Sequence, residues 1–190
     1  MAVKVIAGRA HGRRLRVPGG GRTRPTSGLV RGALFNMLEH RGWLAEGRIV
    51  DCFAGTGALG IEALSRGASG AIFVESSSVV VRTLRQNLDA AGVSDRASVM
   101  PMDVARALRA LGREGVRVDG VLADPPYHQG WAQRVVEAVT ASEVLSEQGW
   151  IAIEHASDET CEPRGDLVAV ATRRHGSTTL TLLARPDGAA

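Results

Sequence analysis

From Arg48 to Glu154, short apolar runs of strand length alternate with longer runs whose apolar residues recur at helical spacing. No other feature restricts the fold as much. The spacing predicts strands over 49–52, 71–75, 97–100, 118–123 and 150–154. Between them it predicts helices over 59–65, 79–91 (ended by Gly92), 104–111 and 131–141. Repeated β-α units of this kind form a parallel, doubly wound sheet. Residues 167–174 and 178–184 are β-rich runs joined at His175-Gly176 with no helix between them. They read as a hairpin that makes one edge antiparallel, completing a mostly parallel α/β sheet of seven strands. At 190 residues the chain fits one such core.

The N-terminal part is organised differently. Residues 3–7 and 14–17, separated by Gly8 and Gly12, read as a small β-hairpin, and Pro18-Gly19-Gly20-Gly21 as a link. Thr26 or Ser27 is placed to cap a helix running through Leu34, Phe35, Met37 and Leu38. Residues 1–38 hold eight basic side chains and no acid, whereas the other 152 residues hold 15 basic and 20 acidic ones. A segment at +8 joined to a body at −5 predicts a polyanion-binding extension over 1–22 on a catalytic domain over 23–190. Its nucleic-acid contacts are expected from Lys4, Arg9, Arg13, Arg14, Arg16, Arg22 and Arg24. Nearly all are Arg, which forks onto phosphate and stacks on bases. Their alternation with Val3, Val5, Ile6, Leu15 and Val17 predicts a packed hairpin.

Gly55-Thr-Gly57-Ala-Leu-Gly60 stands between the first predicted strand of the alternation and its helix, and Glu75 ends the next strand. The pattern serves a dinucleotide or S-adenosylmethionine (SAM) equally well. Asp51 lies before the glycines, where a carboxylate repels pyrophosphate but suits a cationic amino-acid group. Asp103 follows the third strand, where an acid could accept from an adenine amino group. Asp124 ends the fourth. Ligands of such sheets bind at the carboxyl ends of strands, and all four acids fall there.

The fourth strand stops at Asp124-Pro125-Pro126-Tyr127. Two prolines fix φ and remove two donors, and they hold the residues before them extended. The result is a stiff hook that offers the Asp124 carboxylate and the Pro125 carbonyl as two acceptors, with an aromatic plane beside them. A planar NH2 group on a ring fits that arrangement.

The segment from Asp51 to Gly60, with Asp124-Pro-Pro-Tyr127, resembles the class I SAM-dependent amino-methyltransferases. Val5-Ile-Ala-Gly8, Gly12-Arg-Arg-Leu15, Arg24-Pro-Thr26 and Arg31…Ala33-Leu-Phe-Asn36 resemble one branch, the RsmD family of small-subunit rRNA guanine-N2 methyltransferases. Gly32 and His175 depart from that pattern, standing where Glu and Tyr are usual. The resemblance implies a Rossmann-like fold, SAM as cofactor and methyl transfer to a guanine N2 of 16S rRNA. It also implies roles: Asp51, Ala54, Gly55, Thr56, Gly57 and Gly60 for the methionine part, Glu75 for the ribose and Asp103 for adenine. Asp124, Pro125, Pro126 and Tyr127 would be catalytic.

Competing readings are the same hook acting on adenine N6 in DNA, tRNA guanine or protein glutamine, a nicotinamide-dependent oxidoreductase, and a non-catalytic RNA-binding assembly factor. Cys52 and Cys161 lie far apart, and the five histidines have no ligand spacing, so a reduced, cytoplasmic, metal-free protein is expected; a monomer is expected as well, although no residue pattern specifies the oligomeric state. No apolar stretch approaches the ~20 residues of a membrane span, and no secretory signal is expected.

Overall fold

The computed structural model describes residues 3–18 and 28–186. The link at 19–21, the caps proposed at Thr26 and Ser27, and Arg22 and Arg24 lie outside the described residues. Two strands, β1 (Val3–Lys4) and β2 (Arg14–Leu15), precede helix α1 (Gly28–His40). The alternation then runs through β3 (Arg48–Cys52), α2 (Ala58–Ser65), β4 (Gly70–Val74), α3 (Ser78–Ala91), β5 (Ala97–Met100), α4 (Val104–Arg113), β6 (Val118–Ala123), α5 (Trp131–Ser142) and β7 (Leu145–Ala156). The chain closes with β8 (Val168–His175) and β9 (Thr178–Ala184). No helix among the described residues is long and apolar enough to cross a membrane.

The main sheet has the order β5-β4-β3-β6-β7-β9-β8. β3 pairs in parallel with both β4 and β6, so the strand order reverses there and opens a crevice at their carboxyl ends. β9 runs antiparallel between β7 and β8, as the missing helix predicts. Strands buried on both faces read as continuous apolar runs, and here two apolar clusters cover the two faces of the sheet. One joins Ile49, Phe73 and Trp150 to α1, α2, α3 and the N-terminal hairpin; the other joins Val50, Val121 and Ile153 to α4 and α5.

β7 begins five residues earlier than its apolar core indicates. An irregularity in its pairing with β6, between Val118 and Gly120, lets the polar stretch 146–148 join the strand. The N-terminal strands are shorter than predicted, for a specific reason. The Ile6 and Ala7 N–H groups donate to the Glu62 carboxylate of α2, at 2.7 and 3.0 Å. Arg16 N–H donates to Asn87 Oδ1 of α3 at 2.7 Å. Side chains of the domain take the donors that would have lengthened the ladder. The turn between the strands is pinned as well: a Cβ on Gly8, whose φ is +78°, would lie 1.9 Å from the Ser65 carbonyl oxygen.

Arg31 corrects the charge reading of the extension. It is buried, donates to the Lys4 carbonyl and lies 3.8 Å from Glu62, which also pairs with Arg66 at 2.7 Å. One of the eight positive charges is therefore internal. Lys4, Arg9, Arg13, Arg14 and Arg16 are all exposed. Gly32 has room for a side chain, since a Cβ there would meet only Ile6 Cδ1, at 3.9 Å.

Candidate active site

The loops at the carboxyl ends of the strands build the crevice at the reversal point. After β3 the chain turns through Phe53, whose φ of +61° is left-handed and unusual for a bulky residue. Its ring packs edge-on to Trp131, with centroids 5.4 Å apart. Gly55 and Gly57 continue the turn with φ of +53° and +81°. The loop is tied by Ala54 N–H to the Val74 carbonyl at 2.9 Å and by Gly57 N–H to the Ala54 carbonyl at 2.7 Å.

The glycines do different work. A Cβ on Gly57 would lie 2.5 Å from Leu84 Cδ1, and one on Gly60 only 2.3 Å from the Phe73 ring. Both are excluded by the protein's own packing. A Cβ on Gly55 would meet only the Phe53 carbonyl oxygen, at 3.8 Å, so there the loop is open.

Two loop donors already have partners. Asp51 Oδ2 accepts from Gly60 N–H at 2.8 Å, inside the first turn of α2. Glu75 Oε2 accepts from Gly55 N–H at 3.1 Å, and its Oε1 from Ser77 N–H at 2.8 Å. A pyrophosphate at this helix N-terminus would need those N–H groups and would meet two carboxylates instead. The arrangement is unsuited to a dinucleotide and suited to a ligand carrying a cation.

Asp51 is 1% exposed, and its Oδ1 has no hydrogen-bond partner. Burial pushes its carboxyl up to about 7. The Gly60 N–H opposes that shift, while Asp124 and Glu75 add to it through their charges. Asp51 near the end of β3, Glu75 after β4 and Asp124 after β6 thus act on one another through their charges. Asp103 is exposed and caps α4, its Oδ1 accepting from Arg106 N–H at 2.9 Å.

Asp124 is half-buried, Pro125 buried and Pro126 exposed. Tyr127 donates its hydroxyl to Glu154 Oε1 at 2.8 Å and lies 3.2 Å from Thr178 Oγ1. Burial first, and then the nearby Glu154 and Asp124 charges, push this phenol well above its usual range, so it stays protonated. Beyond it, Glu159 gathers the loop: it accepts from Gln129 and Gly130 N–H at 3.2 Å and from Ala156 N–H at 3.3 Å. Burial alone would raise Glu159, but backbone N–H groups, that of His128 first and then those of Gly130, Ala156 and Gln129, hold it below the usual carboxylate range.

Residues 3–184 match the family described as Conserved hypothetical protein 95. The chain is 36% identical over 177 residues to YlbH of Bacillus subtilis (strain 168), a protein provisionally named an rRNA methyltransferase; the match covers 93% of this chain and 95% of that one. It is 35% identical over 152 residues to Ribosomal RNA small subunit methyltransferase D of Escherichia coli (strain K12), covering 80% and 71%. The structure of the Escherichia coli protein yhhF, provisionally titled a methyltransferase, superposes with a TM-score of 0.83 at 30% identity, over 97% of this chain and 98% of that one. The chain belongs to the RsmD family. Its fold is that of the class I methyltransferases.

Within this RsmD-family site, sequence reasoning passed over Glu154, Thr178 and Glu159. Glu154 and Thr178 meet Tyr127 only because β7 and β9 pair antiparallel, with Glu154 opposite Leu180 and Ala156 opposite Thr178. An acid inside an apolar strand was the available signal: Glu154 is 4% exposed within Ile151–Ala156.

Proposed function

We propose that this chain transfers a methyl group from SAM to the exocyclic N2 of a guanine in 16S rRNA, in the cytoplasm and as a monomer. One observation carries the reading. The Asp-Pro-Pro-Tyr hook leaves β6 beside the acidic group of Asp51 and Glu75, with its tyrosine anchored to the strands behind it. The curated relative named for small-subunit rRNA methylation supports the substrate class.

The residues present fit SAM. Asp51 Oδ1 is a buried acceptor without a partner, suited to the cation of an amino-acid group. Each Glu75 oxygen takes one N–H and retains acceptor capacity for ribose hydroxyls. Gly55 keeps the loop open. When bound, SAM supplies a sulfonium methyl as the electrophile.

The chain's own residues do the rest. The guanine N2 lone pair is delocalised into the ring, which makes it a poor nucleophile. Asp124 and the Pro125 carbonyl accept its two N–H groups and orient the amino group; such positioning supplies part of the barrier lowering in an oriented reaction. Asp124 receives the proton that leaves. Tyr127 offers a stacking face worth ~1–3 kcal/mol per base. The base enters unstacked or from a loop.

The test is methyl transfer from radiolabelled SAM to a 16S rRNA transcript by the parent protein and by Asp124→Ala and Asp124→Asn. Alanine should slow transfer by roughly 100-fold or more, with asparagine retaining more activity because its amide oxygen still accepts one N–H. Affinity for S-adenosylhomocysteine should hold in both. Parent rates in both variants would refute the hook's role.

A further inference from the structure

Asn87 lies on α3, outside the hook and outside the acidic group, and it is completely buried. Its side-chain amide makes three hydrogen bonds to two separate backbone segments. Oδ1 accepts from Arg16 N–H at 2.7 Å, and Nδ2 donates to the Arg16 carbonyl at 3.0 Å. The second N–H of the same Nδ2 donates to the Thr56 carbonyl of the glycine loop at 2.8 Å. One side of the amide thus completes the end of the basic hairpin like a short piece of strand. The other side fixes the peptide that precedes Gly57, the residue at φ +81°. Leu84, one turn earlier on α3, closes the same glycine sterically.

We propose that Asn87 is a positioning residue that couples the two substrates: RNA held on the hairpin and SAM held in the glycine loop bind more tightly together than apart. The inference rests on the function proposed above. Its physical basis is that the amide satisfies all three bonds only when the Arg16 backbone, just after β2, and the loop are both in place. Displacing either segment leaves the Asn87 amide atoms that faced it buried and unpaired, which is unfavourable and loosens the amide's hold on the other segment. RNA that holds the Arg16 segment in place therefore favours the loop geometry fixed through Asn87, and linkage makes the effect reciprocal. The exposed guanidiniums of Arg13, Arg14 and Arg16 sit on the segment whose backbone Asn87 holds, so phosphate contact bears directly on this junction.

The experiment measures the affinity of S-adenosylhomocysteine, which occupies the pocket without turnover, with and without a saturating 16S rRNA transcript. The affinity of the transcript is measured with and without S-adenosylhomocysteine. The parent protein should show the same coupling factor in both directions, about fivefold or more. Asn87→Asp keeps the acceptor for Arg16 N–H but loses both donations, and it should bring the factor close to one. Asn87→Ser, which keeps a single donor, should fall between. A purely structural asparagine would lower melting temperature while leaving the factor unchanged in folded variants, and that result overturns the proposal. Amide exchange in the parent supplies a check that needs no variant: protection of the backbone N–H groups at 55–57 should rise when the transcript binds. Independent binding of the two ligands to the parent refutes the coupling and leaves the methyltransferase reading standing. Failure of the parent to bind either ligand refutes both.

Discussion

Asp51 has a strongly perturbed carboxyl, and its perturbation has a definite sign. Its folded value of about 7 lies above the ordinary 3.8, so the neutral form is favoured in the unliganded fold. The stability it contributes is complete below about pH 4 and is lost as pH rises through 7. Asp51→Asn should remove that dependence, so the variant should gain on the parent by several kcal/mol between pH 4 and 8, at ~1.4 kcal/mol per pKa unit. Urea unfolding at four pH values measures the gap, and a constant gap would mean that Asp51 is ionised throughout. Binding of a cationic amino acid group should favour the carboxylate, so SAM should displace a proton near pH 6, seen by calorimetry in two buffers. The positions of Asp51 and Asp124 at the carboxyl ends of β3 and β6 were legible in the sequence because apolar runs of strand length lead into them. The state of Asp51 was not, because it depends on burial and on acids that only the folded sheet brings near.

At the level of elements, the alternation of strand and helix was readable because each segment's apolar spacing agrees with its role in the sheet. β5, β6 and β9 have the bounds that the spacing predicts. The hairpin strands were over-extended because nothing local reveals that Glu62 and Asn87, 56 and 71 residues away, take their donors. The glycine loop shows the same division. Its pattern is visible in the sequence, but whether a glycine faces a ligand or a neighbouring side chain is a matter of packing. Gly60 faces Phe73, with Asp51 Oδ2 at 3.1 Å from the position a Cβ would take. Gly60→Ala should therefore destabilise the fold by about 1–3 kcal/mol, the usual range for overpacking. Chemical denaturation measures this, and unchanged stability would show that α2 can shift away from β4 at little expense.

At the scale of the molecule, an acidic crevice and a basic extension share one body: Val3, Val5, Ala10 and Leu15 of the hairpin are buried in the same apolar cluster as Phe73 and Trp150. The charge asymmetry was plain in the sequence, but the docking was not, since it runs through Glu62, Ser65 and Asn87 of distant helices. The exposed arginines should grip phosphate. Neutralising Arg13, Arg14 and Arg16 together should flatten the salt dependence of rRNA binding by about 0.7–0.9 unit for each phosphate no longer neutralised. RNA titrations at several salt concentrations give the slope, and parallel slopes would place the RNA grip elsewhere. The central claim joins hook, crevice and extension in one reaction, and its product tests it most directly. Purified protein, SAM and an unmodified 16S rRNA transcript are incubated, and the RNA is digested to nucleosides for mass analysis. The account predicts N2-methylguanosine as the new nucleoside, lost with Asp124→Ala. Methylation of any other atom or base, or none, would contradict it.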